Sequence, residues 1–340
     1  MATKRRYWGV LPPLPAPALA GVAKQCEALG LEGVWAIQLW GPPFVTLGAA
    51  AMASSRLKLG SGVALAFTRS PLETAAAALD VDTISGGRMV LGLGPSVRWW
   101  NEQWFGVHYG KPIAHLREAI TVVRMLIEKG HTGELRTWKG EYYTLDLDRF
   151  RTLAPPVRGS IPIYLPALYE TAMRLAGEIG DGLAPHPISS EQWILERIVP
   201  NLKKGLDKAG RNRSDFDLNV WLYVAPSEDR KEAIAETRRT VIFYALHSQY
   251  EKYFAANGFG KEARAIAEAS RAHDEAAMMR ACTDEMVEKF AIVGRPDEVR
   301  RKIDRLAEVA DSFTLCSPYV ALAPERIGFY NEQIAKIFYA

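Results

Sequence analysis

Histidine is the side chain that most often moves protons near neutral pH, and this chain has six. They are His108, His115, His131, His186, His247 and His273. None forms an H-x-H or H-x-x-x-H pair with another, so the spacing places no two imidazoles side by side to bind a metal ion. We therefore expect no metal site. A metal-dependent barrel hydrolase assembled from distant segments is the alternative, and full activity after chelation would exclude it.

The glycines at Gly92 and Gly94 resemble part of a dinucleotide-binding turn, but Val97 stands where the third glycine belongs. The chain also has no G-x-S-x-G nucleophile elbow and no Walker A loop. With no recognisable nucleophile, metal ligands or nucleotide fingerprint, the chemistry is expected to come from an organic cofactor.

The elements that must position such a cofactor follow from hydrophobic periodicity. Eight short apolar runs alternate with segments of helical spacing, a pattern typical of βα units and a parallel sheet. The runs are Tyr7 to Leu11, Gly33 to Ile37, Leu57 to Ala64, Met89 to Leu93, Ile161 to Leu165, Gly182 to Ala184, Leu218 to Val224 and Ser312 to Leu315. Eight strands, each followed by a helix, predict a (β/α)8 TIM barrel.

Two of the gaps between strands are long and predict insertions after strands four and seven. The first, about 94–160, contains a tryptophan-rich loop, a helix from Ile113 to Lys129 and a hairpin-like stretch. The second, about 225–311, is strongly helical in pattern. Because loops after the carboxyl ends of barrel strands build active sites, we expect both insertions to shape the substrate pocket. Residues 1–340 are predicted to form a single domain, and a separately folded second domain is the alternative.

The charge and cysteine content exclude several classes of protein. The 340 residues carry 42 Lys and Arg against 39 Asp and Glu, and these charges are scattered, so we expect no nucleic-acid partner. Cys26, Cys282 and Cys316 have no C-x-x-C spacing, which argues against a disulfide framework and favours a reducing cytoplasm.

The amino-terminal stretch superficially imitates a secretory signal, with basic residues from Lys4 to Arg6 before an apolar run. Prolines between Pro12 and Pro17 interrupt that run, so we expect a first strand there rather than a signal helix. No apolar run reaches 18 residues, so no membrane span is expected.

Three stretches in order resemble one family. Leu57 to Val63 reads LKLGSGV, Thr68 to Pro71 reads TRSP, and Asp82 to Gly94 reads DTISGGRMVLGLG. The chain resembles the luciferase-like monooxygenase superfamily, nearer its branch that uses the deazaflavin coenzyme F420 and includes methylenetetrahydromethanopterin reductase-like proteins. The resemblance covers nearly the whole chain, and the motifs discriminate poorly between F420 and flavin mononucleotide (FMN).

The resemblance implies where the cofactor binds. In related deazaflavin enzymes a cis peptide at the end of strand three forms a bulge behind the ring; the matching bond is Gly62-Val63, followed by Ala64 and Leu65. Without the family, Gly60 and Gly62 would instead favour a simple strand kink or a close approach of two backbones. The loop after strand five, with Ala167, Leu168 and Tyr169, matches the phosphate-binding position, although family members often have glycine there. Ser96 and Asn101, after strand four, are expected near the ring or substrate.

The sequence departs from the family after strand two. Several deazaflavin dehydrogenases have Asp-His where this chain has Gln38-Leu39, so the acid/base role of that histidine does not carry over. Gln38 can only form hydrogen bonds. His186, at the end of strand six, is the best replacement proton donor or acceptor by position, and a structural histidine is the alternative.

The substrate pocket is expected to be apolar. Its predicted residues are Trp40, Trp99, Trp100, Trp104, His108 and His247. A packed aromatic lid is the alternative role for the tryptophans after strand four.

The resulting hypothesis is an F420-dependent oxidoreductase that transfers a hydride between the deazaflavin and a small organic substrate not identified by the sequence. The first alternative is an FMN-dependent monooxygenase that uses O2 and reduced flavin from a partner reductase. The second is a catalytically silent flavin-binding relative, and the missing Asp-His pair favours it. The resemblance also implies a homodimer.

Overall fold

The computed structural model describes residues 5–38 and 41–339. Its strands are β1 (Arg6–Leu11), β2 (Gly33–Ala36), β3 (Lys58–Ser61), β4 (Ala64–Leu65), β5 (Met89–Gly94), β6 (Trp138–Lys139), β7 (Thr144–Leu145), β8 (Ile163–Ala167), β9 (Gly182–Pro185), β10 (Asp217–Pro226), β11 (Ile292–Gly294) and β12 (Ser312–Cys316).

The helices are α1 (Ala16–Ala28), α2 (Pro43–Ala53), α3 (Pro71–Ser85), α4 (Pro112–Lys129), α5 (Glu170–Ile179), α6 (Glu191–Trp193), α7 (Val199–Lys208), α8 (Arg230–Ala245), α9 (Glu251–Ala256), α10 (Gly260–Arg271), α11 (Glu275–Ala281), α12 (Asp284–Phe290), α13 (Pro296–Leu306) and α14 (Pro324–Phe338). Two π-helical turns cover Trp100–Trp104 and Ile194–Ile198.

The order of strands and helices is that of a (β/α)8 TIM barrel, which confirms the predicted fold class. All eight predicted strands are present, with ends that differ from the predicted ones by up to two residues. The predicted third strand is interrupted at Gly62 and Val63, and the fifth begins at Ile163 rather than Ile161. The predicted insertions contain α4 with the antiparallel pair β6 and β7, and α8 to α13 with β11, a strand that the sequence analysis missed.

The chain divides into two compact units, called here the first unit (residues 8–184 and 202–217) and the second unit (5–7, 185–201 and 218–339). In the first unit, parallel strands follow in the order β1, β2, β3, β5, β8, β9, and β4 pairs with β5. Its core includes the stacked rings of Trp8 and Trp35, whose centroids are 4.4 Å apart. Glycines make room for them, since a Cβ atom at Gly60 would overlap the Trp35 ring.

In the second unit, β10 pairs in parallel with both β11 and β12. An aromatic cluster of Tyr253, Phe254 and Phe290 fills part of its core. Helix α13 buries Val299, Ile303 and Leu306, the apolar stripe expected for a helix packed on one face.

The two ends of α3 follow from the residue types found there. Ser70 caps α3 by accepting a hydrogen bond from the Glu73 amide at 3.0 Å, and Pro71 is its first residue. Gly86 ends the same helix with a positive φ of 68°. Within the described ranges, no helix combines the length and apolarity needed to cross a bilayer.

Candidate functional site

The first unit carries an irregular backbone segment where β3 ends. The Gly62-Val63 peptide bond is cis, as the resemblance implies. The Gly62 amide still donates to the Ala36 carbonyl at 2.8 Å, and pairing resumes at β4, where Ala64 and Leu65 align with Leu93 and Gly94. The four predicted residues 62–65 therefore lie together at the carboxyl end of a barrel strand, where barrel enzymes hold their sites.

Gly92 and Gly94 give this segment the space that it occupies. A Cβ atom at Gly92 would overlap the Ser61 carbonyl oxygen, and one at Gly94 would lie 2.9 Å from Cγ2 of Val63. Ser61 also donates from its hydroxyl to the Gly92 carbonyl at 2.9 Å. The two glycines that resemble part of a nucleotide fingerprint thus serve close packing between neighbouring strands.

Gln38 is buried and connects two parts of this site. Its Oε1 atom accepts a hydrogen bond from the Leu65 amide at 3.0 Å and another from Nη2 of Arg69 at 2.8 Å. The Arg69 guanidinium also lies over the Phe44 ring, 5.3 Å from its centroid. Leu39 and Trp40, which the sequence analysis placed beside Gln38 and in the substrate pocket, lie outside the described residues.

The loop after β5 is held by Asn101. Its Nδ2 atom donates to the carbonyls of Pro95 and Val97, both at 2.9 Å, while its buried Oδ1 has no partner among the described residues. Ser96 has a left-handed backbone, with φ of 56°, and its carbonyl accepts from the Tyr109 hydroxyl at 2.9 Å. Both predicted residues shape the loop through these contacts, and the Asn101 oxygen is left for a further donor.

The three tryptophans of this loop form a cluster; Trp100 and Trp104 lie on a π-helical turn, and Trp99 directly precedes it. The Trp104 ring lies 5.0 Å from that of Trp99 and 4.9 Å from that of Trp100. Trp99 and Trp104 are exposed. Because π-helical turns often occur at functional sites and large exposed rings favour ligand contact, the cluster fits the predicted apolar pocket.

His108 lines a cavity whose walls do not include residues 62–65. This cavity has a volume of about 480 Å3 and is lined by Phe67, Val107, His108, Gly110, Lys111, His115, Glu141, Tyr142 and Tyr143. His115 is sandwiched between Phe67 and Tyr142, with ring centroids 3.8 and 4.2 Å away. Its two ring nitrogens contact the Tyr109 carbonyl and the Tyr143 hydroxyl, so this histidine is structural.

The predicted phosphate loop leads into α5. Ala167 ends β8, and Leu168 and Tyr169 precede the helix. The N-cap residue Tyr169 does not cap the helix with its own side chain. A helix start of this kind attracts an anion through its amide groups and its dipole. Glu170 in the first turn opposes this with a negative charge, although Arg174 pairs with it at 3.0 Å.

His186 directly follows β9 in the second unit. Its Nε2 lies 2.8 Å from the Tyr250 hydroxyl, and the Tyr244 ring packs against it edge-on at 4.8 Å. Burial lowers the pKa of His186 to about 3, so the imidazole is neutral at pH 7. Its Nδ1 atom is buried and has no partner among the described residues.

Tyr244, which packs against His186, also contacts Tyr223. The hydroxyls of Tyr223 and Tyr244 lie 2.8 Å apart, and burial raises the pKa of both well above the usual value. His247, a predicted pocket residue, packs against Phe243 and Tyr250, so the structure brings His186 and His247 into one cluster. Across the described ranges, no three His, Cys, Asp or Glu side chains are placed to hold a metal ion.

Arg69, Tyr223 and Tyr250 are candidate functional residues that the sequence analysis did not assign. Arg69 stood in a quoted motif without a role, and its position just before a helix cap was the available signal. No sequence signal pointed to Tyr223 or Tyr250, because their importance depends on contacts with residues far away in the chain.

The comparisons with known proteins agree on the family. The sequence model described as luciferase-like monooxygenase matches residues 3–312. The chain belongs to this family. It is 31% identical over 266 residues to the 5,10-methylenetetrahydromethanopterin reductase of Archaeoglobus fulgidus, covering 76% of each chain.

Two solved structures share its fold. The coenzyme F420 dependent tetrahydromethanopterin reductase from Methanopyrus kandleri superposes with a TM-score of 0.82 at 24% identity and covers 98% of both chains. The oxygenating constituent of 3,6-diketocamphane monooxygenase from Pseudomonas putida, in complex with FMN, superposes with a TM-score of 0.68 at 18% identity, covering 99% of this chain and 98% of its own. At these levels of sequence identity, the two superpositions show that the fold is shared and nothing about activity.

Proposed function

We propose that the protein is an F420-dependent oxidoreductase that transfers a hydride between the deazaflavin and a small organic substrate. The observation that carries the proposal is the 31% identity to a methylenetetrahydromethanopterin reductase over three quarters of the chain. The flavin-dependent neighbour is more distant in sequence, at 18% identity. The FMN-dependent monooxygenase is the second candidate, because its representative shares the fold over nearly the whole chain.

The residues of the first unit fit a deazaflavin in two respects. The helix start at α5 lacks a side-chain cap and suits a phosphate, and the backbone from Gly62 to Leu65 is fixed by pairing with β2 and β5. Residues 62–65 and Gln38 would hold the ring, and Ala167 to Tyr169 the phosphate. When bound, the deazaflavin supplies a ring carbon that donates or accepts the hydride.

His186 is the group proposed to exchange a proton with the substrate. Its neutral imidazole carries one proton, and the contact with Tyr250 determines whether Nδ1 is a donor or an acceptor. The unpartnered Nδ1 atom is the one available to a ligand. His186 and Tyr250 therefore suit reactions in which a heteroatom of the substrate gains or loses a proton while a carbon of the substrate gains or loses a hydride.

An isotope experiment tests the proposed chemistry. Reduced F420 carrying deuterium at the transferred position is mixed with a panel of activated alkenes, imines and carbonyl compounds, with and without O2. The proposal predicts deuterium in the product and the same rate in both atmospheres. Turnover that requires O2 would contradict it and favour the monooxygenase. Turnover should be lost in His186→Gln, while F420 binding is kept.

The homodimer is also a proposal, and the exposed surface of α2 and α3 supports it. These helices pack against each other in the first unit. Val45 and Met52 on α2 are 73% and 81% exposed, and Ile84 on α3 is 53% exposed. Since exposed apolar side chains concentrated on neighbouring helices are typical of contact surfaces, we propose a second copy of the chain as the occupant.

A further inference from the structure

Arg69 is a partly buried cation with no anionic partner in the described part of the chain. Its Nη2 donates to the neutral amide oxygen of Gln38, and no carboxylate within residues 5–38 or 41–339 lies at ion-pair distance from it. Glu73, one turn into α3, acts on it only at longer range. Its Nε atom is buried and has no hydrogen-bond partner among the described residues.

A partly buried cation without an anionic partner lowers the stability of the fold unless a ligand supplies the missing charge. Burial lowers the pKa of Arg69, because the charged form loses hydration, yet a guanidinium stays protonated at any physiological pH. Buried charges in proteins are normally paired, and a buried N-H group without an acceptor is uncommon. An isolated arginine in this condition therefore indicates a partner that arrives from outside the chain.

The guanidinium is also held in position. Gln38 accepts from both Leu65 and Arg69 with the same Oε1 atom, and the Phe44 ring lies beneath the guanidinium plane. Arg69 thus borders the segment 62–65, and its position immediately before the α3 amino terminus adds the positive end of a helix dipole. A planar, oriented guanidinium matches the two oxygens of a carboxylate or phosphate.

We propose that Arg69, oriented by Gln38, binds an oxyanion of the ligand held by the first unit. The inference rests on the proposed function, in which that ligand is the deazaflavin. The cofactor offers oxyanions from two sources, the phosphate and carboxylates of its tail and the ionised ring itself. In both cases the guanidinium donates hydrogen bonds to a negatively charged oxygen.

Equilibrium binding to three variants tests the inference. The variants are Arg69→Met, Arg69→Lys, and Arg56→Met as the matched control, which removes the same charge just before the amino end of β3. The probes are F420 and the deazaflavin chromophore without its phosphate and glutamate tail. Thermal unfolding of each variant establishes that it is folded, and Arg69→Lys keeps the charge should Arg69→Met be unstable.

We expect Arg69→Met to bind F420 at least tenfold more weakly than the wild-type protein, Arg69→Lys about threefold more weakly, and Arg56→Met within twofold. If the tail-less chromophore is unaffected by Arg69→Met, the oxyanion belongs to the tail. If its binding weakens equally, the oxyanion belongs to the ring. Either result supports the inference.

Binding of F420 by folded Arg69→Met and Arg69→Lys within twofold of the wild-type value would overturn the anion site and leave the proposed function standing. A wild-type protein that binds FMN and not F420 would instead overturn the proposed function. The same comparison with FMN, whose phosphate is an oxyanion, then decides the role of Arg69 separately. Absence of binding to either cofactor overturns both.

Discussion

The Tyr250 hydroxyl lies 2.8 Å from Nε2 of His186, although 64 residues separate the two in sequence. This contact, together with the edge-on Tyr244 ring, places the imidazole in surroundings where its charged form is disfavoured. The histidine is therefore a neutral group throughout the physiological pH range, with one nitrogen fixed by the tyrosine.

The first prediction concerns the pH dependence of stability. The pKa of His186 is about 3 in the folded chain, against an ordinary value of 6.5. The unfolded chain takes up the proton first, so this group's contribution to stability is complete above pH 6.5 and is lost as the pH falls towards 3. Between pH 7 and pH 5 the loss is about 2 kcal/mol.

Urea unfolding of the wild-type protein and of His186→Gln at both pH values measures this loss. The wild-type free energy of unfolding should fall by about 2 kcal/mol more than that of the variant. Groups that titrate in both proteins contribute equally and cancel in the difference. Identical changes in the two proteins would show that the histidine is not protected from protonation.

The second prediction concerns the Asp82 carboxylate, which is buried in the first unit. It accepts from the Met89 amide at 3.0 Å and from Nη2 of Arg158 at 2.7 Å. Replacing Arg158 by Met leaves this buried charge without its counter-ion and should lower the free energy of unfolding by about 3 kcal/mol. The control Arg151→Met removes an exposed arginine and should cost about 0.5 kcal/mol or less. Equal effects in chemical denaturation would refute the structural role of the pair.

The third prediction concerns the two strands that form the candidate site. Gly92→Ala forces a methyl group into the Ser61 carbonyl and should destabilise the protein by about 3 kcal/mol. Gly21→Ala, in the exposed middle of α1, meets no atom within 4 Å and should stabilise it by about 0.5 to 1 kcal/mol. Thermal unfolding of both variants provides the comparison. A well-folded Gly92→Ala protein would contradict the close approach of β3 and β5.

The fourth prediction concerns the exposed surface of α2. Met52→Glu places a charge where the proposed second copy would bury an apolar side chain, so the variant should sediment as a monomer while the wild-type protein sediments as a dimer. Leu153→Glu changes an exposed leucine outside α2 and α3 and should leave the dimer intact. A monomeric wild-type protein would rule out the proposed assembly.

Sequence patterns were sufficient to predict the eight barrel strands and the cap of α3. The strand before Gly62 and the cap at Ser70 depend on neighbours close in the chain, so local periodicity and residue preferences reveal them. The cis peptide at Gly62-Val63 came from the family resemblance rather than from periodicity.

Contacts between distant segments were not predictable in the same way. Gln38 meets Arg69 only because β2 and the segment after β4 end beside each other, and His186 meets Tyr250 through packing of the helical insertion. No periodicity encodes either contact. The strand β11 was missed because its three residues are too few to show alternation.

The most direct test of the central claim is a fluorescence titration of the purified protein with F420 and, in parallel, with FMN. The account predicts that F420 binds at least tenfold more tightly, a difference of about 1.4 kcal/mol. Tighter binding of FMN, or binding of neither cofactor, would contradict it.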